Sequence, residues 1–246
     1  MEAYELYPLG DAALVVNFGD VIGEQIQRRV QVLTRCLQER SLPWLIELVP
    51  AFTSVTVYYD PLLVMQSVRR CGQGASGDVS SIYESVCDMV EQVVRQMPDA
   101  GSFQAREVEI PVCYGGEYGP DLAEVAERNG LSADEVVRIH CSGEYRVYLI
   151  GFAPGFPYLG GMSERIAAPR RSSPRLQIPA GSVGIAGRQT GVYPIETPGG
   201  WQLIGRTPIP LFLPDADPPS LLQAGDVVRF KSITAEEYAA WTAQQK

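Results

Sequence analysis

The sequence predicts an α+β chain, mostly β towards its C-terminus, in two domains: an α+β sandwich over residues 1–104 and a small closed β-barrel over residues 105–246. Three observations predict this. Strand-like and helix-like hydrophobic periods alternate through the first domain, whereas short apolar runs separated by turn residues fill the second. Pro98–Gln104 lacks either period and reads as the linker. Residues 151–210 hold 11 of the 24 glycines and 9 of the 19 prolines, yet apolar and aromatic side chains are threaded through them at strand-like intervals. Glycine opens backbone angles closed to other residues and proline fixes one angle, so this block has its shape specified almost residue by residue. Such shaping serves tight turns in a small barrel or a binding surface made of loops.

The elements follow in order. Ala13–Phe18 alternates as a strand, and Ile22–Leu37 carries apolar residues at Ile22, Ile26, Val30, Leu33 and Leu37, the spacing of an amphipathic helix. Trp44–Val49 and Ser54–Tyr59 read as strands joined by the turn 50–53, and Ile82–Met97 as a second helix. This order suggests a split βαβ arrangement, with Cys71–Gly77 as a flexible loop inside it. The second domain opens with a strand at Arg106–Tyr114, then helices at about Asp121–Asn129 and Ala133–Cys141. Gly130 stands where a helix terminates, and Ser132-x-x-Glu135 is a capping box. Tyr145–Ile150, Gln202–Gly205, Leu211–Leu213 and Val227–Ile233 read as strands, and the tail Thr234–Lys246 as a short helix.

Composition excludes several functions. Hydrophobic content of 46% with 20% charged residues is that of an ordinary globular protein. No apolar run approaches the ~20 residues of a membrane span, and the N-terminus has no basic segment before an apolar core, so the expected location is cytoplasmic, without membrane contact. Five cysteines without a CxxC pair argue against a zinc cluster or a disulfide framework, and no metal-ligand set is evident. The net charge of −9 disfavours nucleic acid. Leu122–Ile139 mimics a helix-turn-helix, but its second helix would begin Ser132-Ala-Asp134-Glu135 and push carboxylates towards phosphates, so a packed helical hairpin is expected.

Against that acidic background, residues 151–210 carry six arginines and only Glu164 and Glu196 as acids, a local net charge of +4. The planar fork of arginine suits carboxylates and other planar anions.

The chain has a single histidine, so any imidazole chemistry must use His140. Adjacent helical residues point about 100° apart, so Cys141 is not thereby its partner. Ala180-Gly181-Ser182-Val183-Gly184 approaches a nucleophile elbow but has alanine at the first glycine and no long helix after it. Neither a dinucleotide fingerprint nor a phosphate loop is present, and the chain has no lysine before Lys231, which excludes a biotin-carrier lysine in its body. What remains is a group of polar residues on shaped loops: His140, Arg188, Gln189, Thr190, Tyr193 and Arg206. Such groups can orient a carboxylate or amide and stabilise an oxyanion. The structural alternatives are a helix-end cap for His140 and core packing for Tyr193 and Trp201; Gln189 and Thr190, lying between glycines, fit a core role least.

The segments Gly151–Gly160 (GFAPGFPYLG), Ile178–Gly187 (IPAGSVGIAG), Gln189–Pro194 (QTGVYP), Thr197–Trp201 (TPGGW) and Ile204–Pro208 (IGRTP) together resemble the KipI/PxpB family. Ile110–Gly116, Gly119–Leu122, Ala224–Phe230 and Tyr7–Asp11 extend the similarity over essentially the whole chain. The family is also described as the B subunit of 5-oxoprolinase, as allophanate hydrolase subunit 1, or as the first half of a split carboxyltransferase domain. The resemblance implies a ferredoxin-like N-terminal domain followed by a cyclophilin-like β-barrel. It implies partners, namely a second cyclophilin-like subunit of the PxpC/KipA kind and a PxpA-like subunit. With them it implies an ATP-dependent 5-oxoprolinase that opens a small cyclic amide to L-glutamate, the ATP being shared with or held by the partner subunits. Two alternatives belong to the same resemblance: an inhibitor of a sporulation histidine kinase, and half of a biotin-dependent urea or amide carboxyltransferase. On the oxoprolinase reading, Arg188 and Arg206 are expected to hold the substrate carboxylate, Gln189 and Tyr193 to orient the amide, and His140 to transfer protons. Thr190, Phe156 and Trp201 complete the expected substrate-binding set.

Overall fold

The computed structural model describes residues 3–21, 23–70, 81–98 and 105–244, so Ile22, the Cys71–Gly77 loop and nearly all of the linker lie outside the described residues. The chain divides into two compact units, residues 1–104 and 105–246.

The first unit is one antiparallel sheet with helices. β1 (Glu5–Pro8), β2 (Ala13–Asn17), β3 (Leu45–Pro50) and β4 (Ser54–Tyr59) lie in the order β1-β2-β4-β3. α1 (Glu24–Gln38) links β2 to β3, and β4 inserts between them, which is the split βαβ arrangement. Alternation decides which face is buried. Val55, Val57 and Tyr59 of β4 are buried while Tyr58 is exposed, and they meet Val30, Leu33 and Leu37 of α1. α3 (Ile82–Arg95) adds Val86, Val90 and Val93 to the same core. Full burial of each such side chain contributes roughly 1.5–3 kcal/mol. α3 starts at a complete capping box, in which Ser81 Oγ accepts from Glu84 N–H (3.1 Å) and Glu84 accepts from Ser81 N–H (2.7 Å). Two elements escaped the sequence reading, β1 and α2 (Pro61–Arg70). β1 has almost no buried side chain to give it a period, and the apolar residues of α2 run together at Leu62–Met65 instead of recurring at helical spacing, although Asp60 caps it by accepting from Leu62 N–H at 2.8 Å.

The second unit is a closed barrel of seven strands in the order β10-β7-β6-β13-β5-β12-β9. These are β5 (Glu107–Tyr114), β6 (Tyr145–Ile150), β7 (Pro157–Gly160), β9 (Ser182–Ala186), β10 (Gln189–Val192), β12 (Gln202–Arg206) and β13 (Val227–Ile233). β13 pairs parallel to β5, and the other neighbours pair antiparallel. Closure leaves the sheet without long free edges and turns one side chain in two inwards. Ile110, Val112, Val147, Leu159, Val183, Ile185, Val192, Ile204 and Val228 fill the interior. α4 (Leu122–Arg128) and α5 (Ala133–Cys141) form the expected hairpin, with Gly130 at φ +64° between them and the Ser132–Glu135 capping box starting α5. Their residues Leu122, Val125 and Val136 join the barrel core. A two-stranded ribbon of β8 (Arg175–Ile178) and β11 (Thr197–Gly199) stands apart from the barrel strands. The strand expected at Leu211–Leu213 is reduced to a single bridge between Phe212 and Ser220, because Pro208, Pro210 and Pro214 remove the donors a ladder needs. The C-terminal tail forms α6 (Ala235–Gln244). No helix among the described residues is long and apolar enough to cross a membrane.

Candidate functional site

The two faces of β10 separate the residues singled out by the sequence. Successive strand side chains point to opposite faces. Thr190 and Val192 are wholly buried on the interior side, while Gln189, Gly191 and, just past the strand, Tyr193 share the outer side. His140 belongs with the interior set and Gln189 with the outer one.

The interior set is a directed chain of hydrogen bonds. Thr190 Oγ1 donates to the Gly184 carbonyl (3.0 Å), so its oxygen accepts from His140 Nε2 (2.9 Å). With its proton on Nε2, the ring accepts at Nδ1 from the Tyr114 hydroxyl (2.8 Å), which in turn accepts from the Cys141 thiol (3.5 Å). Tyr145 Oη donates to the His140 carbonyl (2.7 Å), and Phe230 stacks on the ring with centroids 4.5 Å apart. The imidazole is 0% exposed, and burial drives its pKa down to about 3, so it is neutral at pH 7. Burial likewise raises the Tyr114 phenol well above its ordinary range and pushes the Cys141 thiol up. His140 is therefore sealed inside the barrel with both ring nitrogens committed, and it does not share a surface with Gln189.

The outer set is aromatic. Phe156, Tyr193 and Trp201 meet edge to face, with centroids 5.6–6.3 Å apart, over Ala186 and Leu203. Gly184 and Gly191 make room for this layer: a Cβ on either would lie 3.1 Å from Trp201. Phe152 forms the open rim; it is 66% exposed, packs edge-on to Phe156 and holds φ +68°, a left-handed conformation unusual for an aromatic residue. Burial raises the Tyr193 phenol, partly offset by a hydrogen bond from the Trp201 backbone and by Arg170 and Arg175 nearby.

Those arginines lead to a cluster that the sequence reading missed. Asp121 precedes α4 but makes no capping bond; its buried carboxylate turns to the 170–175 loop instead. Oδ1 accepts from Arg171 Nη1 (3.0 Å) and Arg175 Nη2 (2.7 Å), while Oδ2 accepts from Arg175 Nη1 (2.8 Å) and Leu203 N–H (2.7 Å). The run Pro169-Arg-Arg-Ser-Ser-Pro-Arg175 was a legible sign of a cation cluster, but its acid lies some 50 residues away and nothing local announces it. Of the arginines expected to bind a carboxylate, Arg188 is exposed and pairs with Glu164 at 3.1 Å, and Arg206 Nε donates to the Ala180 carbonyl at 2.8 Å.

A groove of about 530 Å³ lies elsewhere on the unit, between α5 and β13, lined by Glu109, Asp134, Arg138, Cys141, Arg229 and Lys231. Lys231 pairs there with Glu109 at 3.2 Å, and none of the expected site residues lines it. The chemistry-bearing side chains on the shaped loops outweigh this groove as the candidate site, because its Lys231 and Arg229 are already paired, with Glu109 and with Glu107 and Glu144. Among the described residues, no group of three or more His, Cys, Asp or Glu is placed to hold a metal ion.

A seven-stranded barrel with this arginine-bearing loop surface has known counterparts. The chain belongs to the carboxyltransferase domain family, subdomains C and D, whose sequence model matches residues 4–222. It is 54% identical over 238 residues to the B subunit of 5-oxoprolinase from Bacillus subtilis (strain 168), covering 97% of this chain and 96% of that one. It is 41% identical over 232 residues to the corresponding 5-oxoprolinase B subunit from Escherichia coli O157:H7, covering 94% and 96%. Among solved structures, a conserved uncharacterised protein of Pyrococcus horikoshii is 47% identical, with a TM-score of 0.54 over 95% of this chain and all of that one.

Proposed function

We propose that this chain is the B subunit of an ATP-dependent 5-oxoprolinase, a hydrolase that opens the ring amide of 5-oxoproline to give L-glutamate. The observation that carries the reading is its similarity, over nearly full length, to proteins named as B subunits of 5-oxoprolinase. The geometry supports half a site. The aromatic layer of Phe156, Tyr193 and Trp201 excludes water, and Gln189 and the Tyr193 hydroxyl offer groups that can orient an amide. An arginine holds the carboxylate, Arg188 and Arg206 being the candidates offered by the sequence. His140 acts through Thr190 as a positioning residue that fixes β10, and so Gln189, rather than by touching substrate. The substrate surface is completed by a second cyclophilin-like subunit and a further PxpA-like partner. The chain has two lysines, Lys231 and Lys246, and no phosphate loop, so we place the principal ATP contacts on those partners. The barrel is cyclophilin-like in this reading. The order β1-β2-β4-β3 supports a ferredoxin-like first domain in which β1 takes the place of the usual final strand.

The test is 5-oxoproline-dependent ATP hydrolysis by the co-expressed partner subunits with and without this chain. Activity is expected only with it; equal activity in its absence defeats the reading. A role in docking on a histidine kinase predicts instead that Gln189→Ala is silent, whereas here it lowers kcat/KM.

A further inference from the structure

We infer that Arg171, clasped with Arg175 on the buried carboxylate of Asp121, forms a subsite beside the aromatic layer that binds the carboxylate group of a small organic acid. This deepens the oxoprolinase reading and rests on it only for the identity of that acid.

Charge is the first argument. Two guanidinium groups share one carboxylate, and Asp121 is the only acid paired with either among the described residues, so the cluster keeps a surplus positive charge. Both cations approach Asp121 Oδ1, at 3.0 and 2.7 Å, which brings their nitrogens within about 6 Å of each other. One arginine would suffice to tie the loop to Asp121; Arg175 already does so with a two-pronged fork. The second cation is repelled by the first while Asp121 attracts both, so the cluster carries one net positive charge that an anion on the open side would offset.

Donor geometry is the second argument. Asp121 takes only Nη1 of Arg171, and Arg171 Nε is buried with no hydrogen-bond partner. The edge made by Nε and Nη2 is the one arginine presents to a planar carboxylate. The Arg171 and Arg175 side chains remain 32% and 24% exposed, so solvent meets part of the cluster, and a ligand that takes up the buried Nε must enter beneath that exposed part. Arg188 and Arg206 lack this pre-organisation, the first being held by Glu164 in an exposed pair and the second donating to a backbone carbonyl.

Position is the third. Arg171 N–H donates to the Gly200 carbonyl at 2.7 Å, next to Trp201, and Arg175 pairs across the ribbon with Gly199. A Cβ on Gly199 would sit 2.5 Å from the Tyr193 hydroxyl oxygen, so glycine there lets the phenol and the arginine strand come together. A carboxylate on Arg171 would thus lie beside the aromatic layer, whose Tyr193 and Trp201 are themselves 2% and 6% exposed.

The experiment titrates the full chain, alone and with its partner subunits, with L-5-oxoproline, 2-pyrrolidone (the same ring amide without its carboxylate) and inorganic phosphate. The readout is the Arg171 Nε–H resonance. L-5-oxoproline is expected to shift it and 2-pyrrolidone to leave it unmoved. Arg171→Lys should weaken L-5-oxoproline binding about 10- to 100-fold, the loss expected for a charged hydrogen-bonded contact, with the melting temperature held by the Arg175–Asp121 fork. Equal binding of L-5-oxoproline and 2-pyrrolidone, no shift in either form of the protein, or undiminished binding by folded Arg171→Lys overturns the proposal. Tighter binding of phosphate than of L-5-oxoproline assigns the subsite to a phosphate and overturns it too. The wild-type titrations decide the matter even where the variant does not fold. A complex that binds L-5-oxoproline at Arg171 without coupled ATP hydrolysis would sink the oxoprolinase reading and leave the subsite standing. Coupled hydrolysis indifferent to Arg171→Lys would do the reverse.

Discussion

His140 shows how burial redirects a residue whose type suggests catalysis. Its ring links β10 through Thr190 and β5 through Tyr114, and stacks on Phe230 of β13. The sign of its pH effect follows from a folded pKa of about 3 against an ordinary value of 6.5. Between those values the unfolded chain takes up a proton that the folded chain refuses, so stability falls as pH drops through this window. From pH 7.5 to pH 5 this one group should cost about 2 kcal/mol. Denaturant unfolding at both pH values measures it, and His140→Gln should lack that increment while carboxylates titrate alike in both proteins. Because the chain has one imidazole, its ¹⁵N shifts should report a neutral Nε2–H ring at pH 6 without assignment. A titrating ring there would contradict the geometry.

At the scale of elements, the 170–175 loop, α4 and β12 are joined by one carboxylate. Asp121→Asn keeps the shape but leaves two part-buried guanidinium groups facing no charge, and should destabilise the barrel by about 3–5 kcal/mol in thermal or denaturant unfolding. The turn before α4 is equally constrained. A Cβ on Gly119 would lie 2.0 Å from the Ile204 carbonyl oxygen, a backbone atom that cannot step aside, so Gly119→Ala should cost about 3 kcal/mol. By contrast, Ser132→Ala removes one capping acceptor from α5 and should cost about 1 kcal/mol. The ordering of these three melting temperatures is the check.

For the whole molecule, each unit has its own apolar core, one centred on Leu14, Leu33 and Val57 and the other on Ile110, Val147 and Ile185. We propose that the units are independent domains. Fragments 1–104 and 105–246 should then each unfold cooperatively when expressed alone, as read by calorimetry. Broad, non-cooperative melting of the barrel fragment would refute this. Much of the architecture was legible because it is written in period: Val55, Val57 and Tyr59 on alternate positions, Val86, Val90 and Val93 at helical spacing, and Ser132 with Glu135 as a cap. β1, α2 and the single bridge at Phe212 were not, since little burial or much proline leaves no period to read. At the candidate site, the sequence marked Gln189, Tyr193 and a positively charged block over residues 151–210, but it singled out Arg188 and Arg206 and neither Arg171 and Arg175 nor their partner Asp121.

The sequence by itself determined an arginine island in an acidic protein and a single imidazole, and it predicted a two-part chain, because these are read from composition and local order. Tertiary structure alone decided which of these residues meet. It put His140 inside the barrel and Gln189 outside, one strand position from Thr190, and it joined Asp121 to Arg171 and Arg175 across half a hundred residues. The physical reason is that barrel closure assigns each side chain to the interior or the surface, and no local pattern encodes a salt bridge between distant segments.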